Sequence, residues 1–212
     1  MHLKGGPEKR SSSAANLATQ PMAIIGVTGH RVLSDLAKIE AGVDEAIRRI
    51  EQAFPSGPLE VLSSLAEGAD RLVARRVLVR PGSRLVVPLP MPPHDYASDF
   101  GPSESKREFF ELLARADGVI ELPAAGSREA AYEAAGFYVL EHSEVLIAVW
   151  DGKASQGRGG TGAMVALARE RDMPIAWVHA GNRKPGTLEP TTLGEDQGRL
   201  TFEKSLKTLL FI

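Results

Sequence analysis

The chain has 212 residues, 43% of them hydrophobic, enough for one layered core and an expectation of a single globular domain. It carries 25 Lys and Arg against 27 Asp and Glu, so no overall basic field argues for a nucleic-acid partner. The absence of cysteine removes disulfides, thiolate nucleophiles and thiolate-bound metals and fits a cytoplasmic setting, and no apolar run approaches the roughly 20 residues of a membrane span.

Residues 1–20 are polar and small after a basic start and have no apolar stretch of the secretory type. They read as a disordered tail, with the domain over 21–212. From Pro21 the run MAIIGV predicts a strand buried on both faces, and Leu36, Ile39, Val43, Ile47 and Ile50 mark one stripe of a helix from Asp35 to Ala53. LEVLSSL (59–65) reads as strand, Asp70 to Val79 as helix and RLVVPLP as a third strand. The prolines and glycine of MPPHDYASDFGP predict a loop, followed by an N-cap at Ser103 and a helix over SESKREFFELLARA. GVIELP is a short strand, a helix runs from about Arg128 to His142, and EVLIAVW is the clearest buried strand of the chain. GRGG opens a helix over Thr161 to Glu170, IAWVH is a sixth strand, and the Gly-, Pro- and Thr-rich segment 180–198 reads as surface. Phe202, Leu206, Leu209 and Leu210 are free to dock a last helix or short strand. This alternation predicts an α/β, Rossmann-like three-layer sandwich with a mostly parallel central sheet of six or seven strands.

Parallel sheets collect ligands at the carboxyl ends of their strands, and three turns there have unusual composition. In GVTGHR, Gly26 and Gly29 let the backbone pass close to a ligand. Arg31 offers a two-pronged contact to a phosphate or carboxylate, and His30 a hydrogen bond, a stacking ring or a proton. In AEGAD, Gly68 permits a tight turn, Asp70 reads as a helix cap or a ligand contact, and Glu67 is placed to accept bonds from a ribose diol. In WDGKASQGRGGTG, Trp150 reads as a stacking platform and Asp151 as a reader of a ribose or amino group. Gly157, Gly159, Gly160, Thr161 and Gly162 suit a phosphate nest at a helix start. Tyr96 and His94 lie in the long loop as rim or lid residues, whereas Tyr132 and Glu133 read first as packing. His30, His94, His142 and His179 are scattered without HExxH spacing and no GxSxG elbow follows a strand, so neither a metal site nor a serine triad is expected. Magnesium accompanying phosphates would leave no signature of its own.

The order GVTGHR, LAEGADRLVA, LIAVWDG and GGTG over residues 21 to 180 resembles the SLOG superfamily of Rossmann-like nucleotide-binding domains. That superfamily includes DprA, the LOG proteins once called lysine decarboxylases and the sensor domains of TRPM channels. The resemblance implies a pocket for a nucleotide or nucleotide-derived ligand built from Gly29 to Arg31, Glu67 to Asp70 and Gly159 to Gly162. LOG enzymes carry PGGxGTxxE with a catalytic glutamate; here GRGGTGAMVAL puts Met164 at that place, which favours a ligand-sensing relative acting through a separate effector. The other reading is an enzyme acting on an N-glycosidic bond of a nucleoside monophosphate. In it Glu67 or Asp151 would stabilise the oxocarbenium-like centre or activate water, and His30 would protonate the departing base. Homodimer pairing through FFELLARA or FYVLEHSEVL is a further expectation, each stretch being equally suited to cover its own sheet.

Overall fold

Strands largely alternate with helices over residues 22–55, 57–154 and 159–206, the residues that the computed structural model describes. The expected tail over 1–20, Gly157, Leu209 and Leu210 lie outside them. Strand β1 (Ala23–Gly29) is followed by α1 (Leu36–Ala53), β2 (Leu59–Leu62), α2 (Ala69–Leu78) and β3 (Arg84–Leu89). Helices α3 (Pro93–Ala97) and α4 (Ser103–Leu113) precede β4 (Gly118–Glu121) and α5 (Arg128–Glu141). The chain continues through β5 (Val145–Trp150), α6 (Thr161–Glu170), β6 (Ile175–His179) and β7 (Leu200–Glu203).

The seven strands form one sheet in the order β4-β3-β2-β1-β5-β6-β7. All neighbours are parallel except β7, which runs antiparallel to β6 and closes that edge. Helices cover both faces, giving the expected α/β three-layer sandwich. The continuous apolar run of β5 follows from that covering: successive side chains point to opposite faces, and both are dry. Val145, Ile147 and Val149 enter the larger core with Ile39, Val43 and Ile47 of α1 and Leu72 and Val73 of α2. Leu146, Ala148 and Trp150 enter a second core with Leu140 of α5 and Met164, Val165 and Ala168 of α6.

The helical stripe of α1 is buried at Ile39, Val43, Ile47 and Ile50, whereas Leu36 is 52% exposed because it opens the helix beyond the covered part of the sheet. The proline-rich stretch expected as loop contains α3, with proline in its first turn, where a missing N–H costs nothing. Ser103 is not a cap: Pro102 holds the N-cap position, and the Ser103 hydroxyl bonds to the Glu104 carboxylate at 3.2 Å. Phe109 and Leu112 of α4 and Val139 and Leu140 of α5 are buried in the chain's own cores, so the stretches expected to pair two copies spend those side chains on their own sheet. Among the described residues no helix is long and apolar enough to cross a membrane.

Helix α1 carries a glycine in its middle for a steric reason. A Cβ on Gly42 would lie 2.2 Å from the Gly198 carbonyl oxygen and 2.9 Å from Val178 Cγ1, so its absence lets α1 touch β6 and the segment entering β7. Alanine ordinarily stabilises a helix interior by about 1 kcal/mol over glycine. Here Gly42→Ala is expected to lose about 2 kcal/mol in urea unfolding, because two backbones must separate. Gly126→Ala, with no atom within 4 Å of the added methyl, is expected to stay within about 0.5 kcal/mol of the parent.

Candidate ligand-binding site

Strand order reverses at β1: the chain builds outward through β2, β3 and β4, then returns to place β5 on the other side of β1. Above the carboxyl ends of β1 and β5 the following loops diverge and leave a crevice. The His30 N–H donates to the Val149 carbonyl at 3.0 Å, extending the β1–β5 pairing by one residue. The His30 carbonyl accepts from the Ala69 N–H at 3.1 Å, which fastens the first turn of α2 to the same point.

Two glycines expected near a ligand are needed for that fastening, and Gly29 also lines the cavity above the crevice while Gly68 does not. A Cβ on Gly29 would sit 2.4 Å from Ala69 Cβ and 2.7 Å from the Val149 carbonyl oxygen. Gly68 has φ +78°, and a Cβ there would lie 2.4 Å from the carbonyl oxygens of both His30 and Arg31. Strand β2 stops at Leu62, opposite Gly26, so the Ser63–Gly68 turn fills the gap beside the longer β1 and needs this close approach.

A cavity of about 890 Å³ opens over the crevice. It brings together His30 and Arg31 after β1, Asp70 of α2, Asp151 after β5 and the Gly159–Gly162 turn at the start of α6. Arg31 is exposed and makes no ion pair among the described residues; its guanidinium lies 5.4 Å from the centre of the Tyr132 ring. Gly159 has φ +71° and Gly160 is the N-cap of α6. The leading amides of that helix, with no partner in its own ladder, are available to an anion.

His30 and Asp151 form a buried pair. Asp151 donates its backbone N–H to His30 Nε2 at 3.1 Å, and its Oδ1 lies 3.2 Å from the same nitrogen. Burial pushes the imidazole below its ordinary pKa, with the Asp151 carboxylate opposing that shift. A neutral ring accepting a backbone proton is a poor store of the proton that a departing base would need. The Asp151 carboxylate also accepts from the Lys153 N–H at 3.1 Å, with Lys153 Nζ 3.8 Å away.

Other expected site residues fall elsewhere. Glu67 is not among the cavity's lining residues: its carboxylate accepts from the Gly101 N–H at 3.0 Å and from the Ser105 hydroxyl, tying the β2–α2 turn to α4. The acid pair imagined for glycosidic cleavage, Glu67 with Asp151, therefore does not face across the crevice. Asp70 is not a helix cap, since Gly68 occupies that position; its carboxylate accepts from the Ala66 N–H at 3.3 Å. Tyr96 borders the cavity but is only 1% exposed, its ring packed against Phe100 and Phe109. Trp150 is 4% exposed, its indole N–H donates to the Lys153 carbonyl, and its ring lies beside Trp177 and under Arg169, which leaves little face for a base. Met164, at the place of the LOG glutamate, packs against Gly136 of α5, where a Cβ would meet its sulfur at 2.5 Å.

Sequence reasoning missed part of the wall. Tyr132, read as packing, lines the cavity, as do Lys153, Asn182, Arg183 and Lys184. Asn182–Lys184 follow β6 at the same sheet edge as the recognised turns; the available signal was the basic pair directly after a buried strand.

No protein-family model matches the chain. No curated protein matches it significantly. Among solved structures it is similar to a structural-genomics target, TM1055, at 15% identity over 73% of this chain and 72% of that one, with a TM-score of 0.45. It is also similar to the molybdenum cofactor binding protein of Rippkaea orientalis, at 17% identity over 77% and 78% with a TM-score of 0.42. A third similar structure is the Moco carrier protein of Chlamydomonas reinhardtii, at 21% identity over 74% and 76% with a TM-score of 0.40.

Burial pushes the Asp70 carboxyl up to about 6, against the partial relief given by the Ala66 N–H and by Arg31. The folded protein therefore holds this proton through a pH range in which the unfolded chain, titrating near 4, has released it. Stability tied to Asp70 is highest below pH 4 and is lost as pH rises through 6, a difference on the order of 3 kcal/mol. Asp70→Asn keeps an acceptor for Ala66 and removes the titration. In urea unfolding, its stability minus that of the parent should grow between pH 4 and 6.5 and stay level above.

Proposed function

We propose that the chain binds a nucleotide or nucleotide-derived ligand at the carboxyl edge of its sheet, as a SLOG-like sensor or carrier domain. The observation that carries this reading is the convergence of Arg31 and the Gly159–Gly162 turn on one cavity, although they lie far apart in sequence. The α6 amides and the Thr161 hydroxyl suit a phosphate, and Arg31, which lies by the Tyr132 ring and makes no ion pair among the described residues, is available to clamp it. Tyr132 borders the same space and offers a flat surface to a base or sugar. In this reading the four motifs of the resemblance are one site: GHR and GGTG meet the ligand, WDG orders its floor through Asp151 and His30, and EGAD holds the other turns in place.

Binding without cleavage suits the geometry better than hydrolysis. Glu67 is engaged with α4, the glutamate position of the LOG motif is apolar Met164, and His30 favours its neutral form. Signalling from such a domain would pass to a separate effector protein or through pairing of two copies, and magnesium would enter only with the ligand's phosphates.

Calorimetry or thermal-shift measurements against nucleoside mono-, di- and triphosphates, cyclic nucleotides, NAD, ADP-ribose and the molybdenum cofactor test the reading. At least one compound should bind, and Arg31→Ala should weaken it about tenfold or more, the loss expected for one charge-assisted contact. Silence across the panel, or binding indifferent to Arg31, would overturn it.

A further inference from the structure

The segment between β6 and β7 forms a basic arm beside the cavity. Asn182 and Thr191 close its base: the Asn182 carbonyl accepts from the Thr191 N–H at 2.6 Å and from its hydroxyl at 2.7 Å. The Lys184 N–H donates to the Glu189 carbonyl at 2.8 Å, and Arg183 pairs with Pro190 as an isolated antiparallel bridge. Gln197, 3% exposed, locks this hairpin to the body, accepting from the Gly181 and Leu193 N–H groups and donating to the Ser34 carbonyl. With a longer bond from its amide to the Ser34 hydroxyl, this buried side chain makes four hydrogen bonds, more than a loop that merely connects two strands needs.

The arm carries Arg183 and Lys184 at the cavity wall. Arg183 is exposed and makes no ion pair among the described residues. Among the described residues Lys184 has one counter-ion, Glu189, five residues on in the same arm, at 2.5 Å. Position decides what these cations can serve. Arg31 leaves the sheet at β1, and the arm leaves it at β6, two strands further along. Neighbouring strands are about 4.8 Å apart, so the two points of departure are separated by roughly 10 Å. The two sets of cations thus reach the cavity from different points of its rim. The cavity's volume lies toward the upper end of the roughly 300–1,000 Å³ range of small-molecule sites, leaving room for more than one anionic group.

We propose that Arg183 and Lys184 form a second anion subsite, and that the cavity takes a nucleotide-derived ligand with two separated anionic groups in preference to a nucleoside monophosphate. The first anionic group sits between Arg31 and the α6 amides. The second reaches the arm, where it takes the place of the Glu189 carboxylate on Lys184 and gives Arg183 its partner. This rests on the nucleotide-binding reading above and adds the ligand's charge layout.

The test compares adenosine and guanosine 5′-monophosphates with their 3′,5′-bisphosphates and with ADP-ribose 2′-phosphate by calorimetry. At least one doubly anionic compound should bind ten times or more tightly than its monophosphate counterpart, or than ADP-ribose for the last. Arg183→Ala with Lys184→Ala should abolish that advantage while weakening the monophosphate less than threefold, and Glu189→Gln should increase it. Unchanged thermal unfolding of both variants shows that the arm's chemistry, not the fold, has been altered. Equal binding of the paired ligands, or equal weakening of both by the arm variant, would remove the second subsite and leave nucleotide binding intact. Failure of every compound, together with silence in the wider panel, would remove both.

Discussion

The architecture of the site depends on how the backbone of one residue is held. His30 donates its N–H to Val149 of β5 and offers its carbonyl to Ala69 at the start of α2, so three elements distant in sequence meet at a single residue. Neither bond is available unless side chains are absent from Gly29 and Gly68, where Cβ atoms would fall 2.4 to 2.7 Å from neighbouring atoms. Gly29 lines the cavity itself, whereas Gly68 shapes it from outside the lining. They bring the loops close enough that Arg31, Asp151 and the α6 turn face a common space.

The sheet's order sets what can stand around that space. Because β5 and β6 lie on one side of β1 and β2 to β4 on the other, the turns after β1, β5 and β6 share an open rim. The turn after β2 enters from the opposite side and is drawn toward α4. Ser64 and Ala66 of that turn still line the cavity, but the Glu67 carboxylate is bonded to Gly101 and Ser105 outside the lining, while Asp70, one helical step later, lies buried at its wall. Two acids three residues apart thus have different surroundings: one accepts hydrogen bonds from Gly101 and from Ser105 of α4, and the other is starved of solvent.

Most of the fold was legible in the sequence because its signals are local. The alternation of apolar strands with striped helices identifies the sandwich, and the six-residue run ending at Trp150 identifies a strand with two dry faces. The convergence of GHR and GGTG was legible too, since both follow strands of one parallel sheet. What stayed hidden depends on partners remote in the chain. Nothing in AEGAD says that Ser105 will capture Glu67, and nothing around Trp150 says that Arg169 and Trp177 will occupy its faces. The arm was hidden for another reason: its Gly, Pro and Thr content marks it as loop, but the buried Gln197 that fixes it is one polar residue in a polar stretch.

The placement of the two tryptophans has an optical consequence. They are the only tryptophans in the chain, and their rings lie 5.4 Å apart beneath the cavity, with the Trp177 N–H on the Trp150 carbonyl and the Trp150 N–H on that of Lys153. Any molecule that shifts Lys153 or Asp151 also changes the electric field on an indole. The protein's own ultraviolet emission would thus report a molecule entering the cavity, with no dye or label attached.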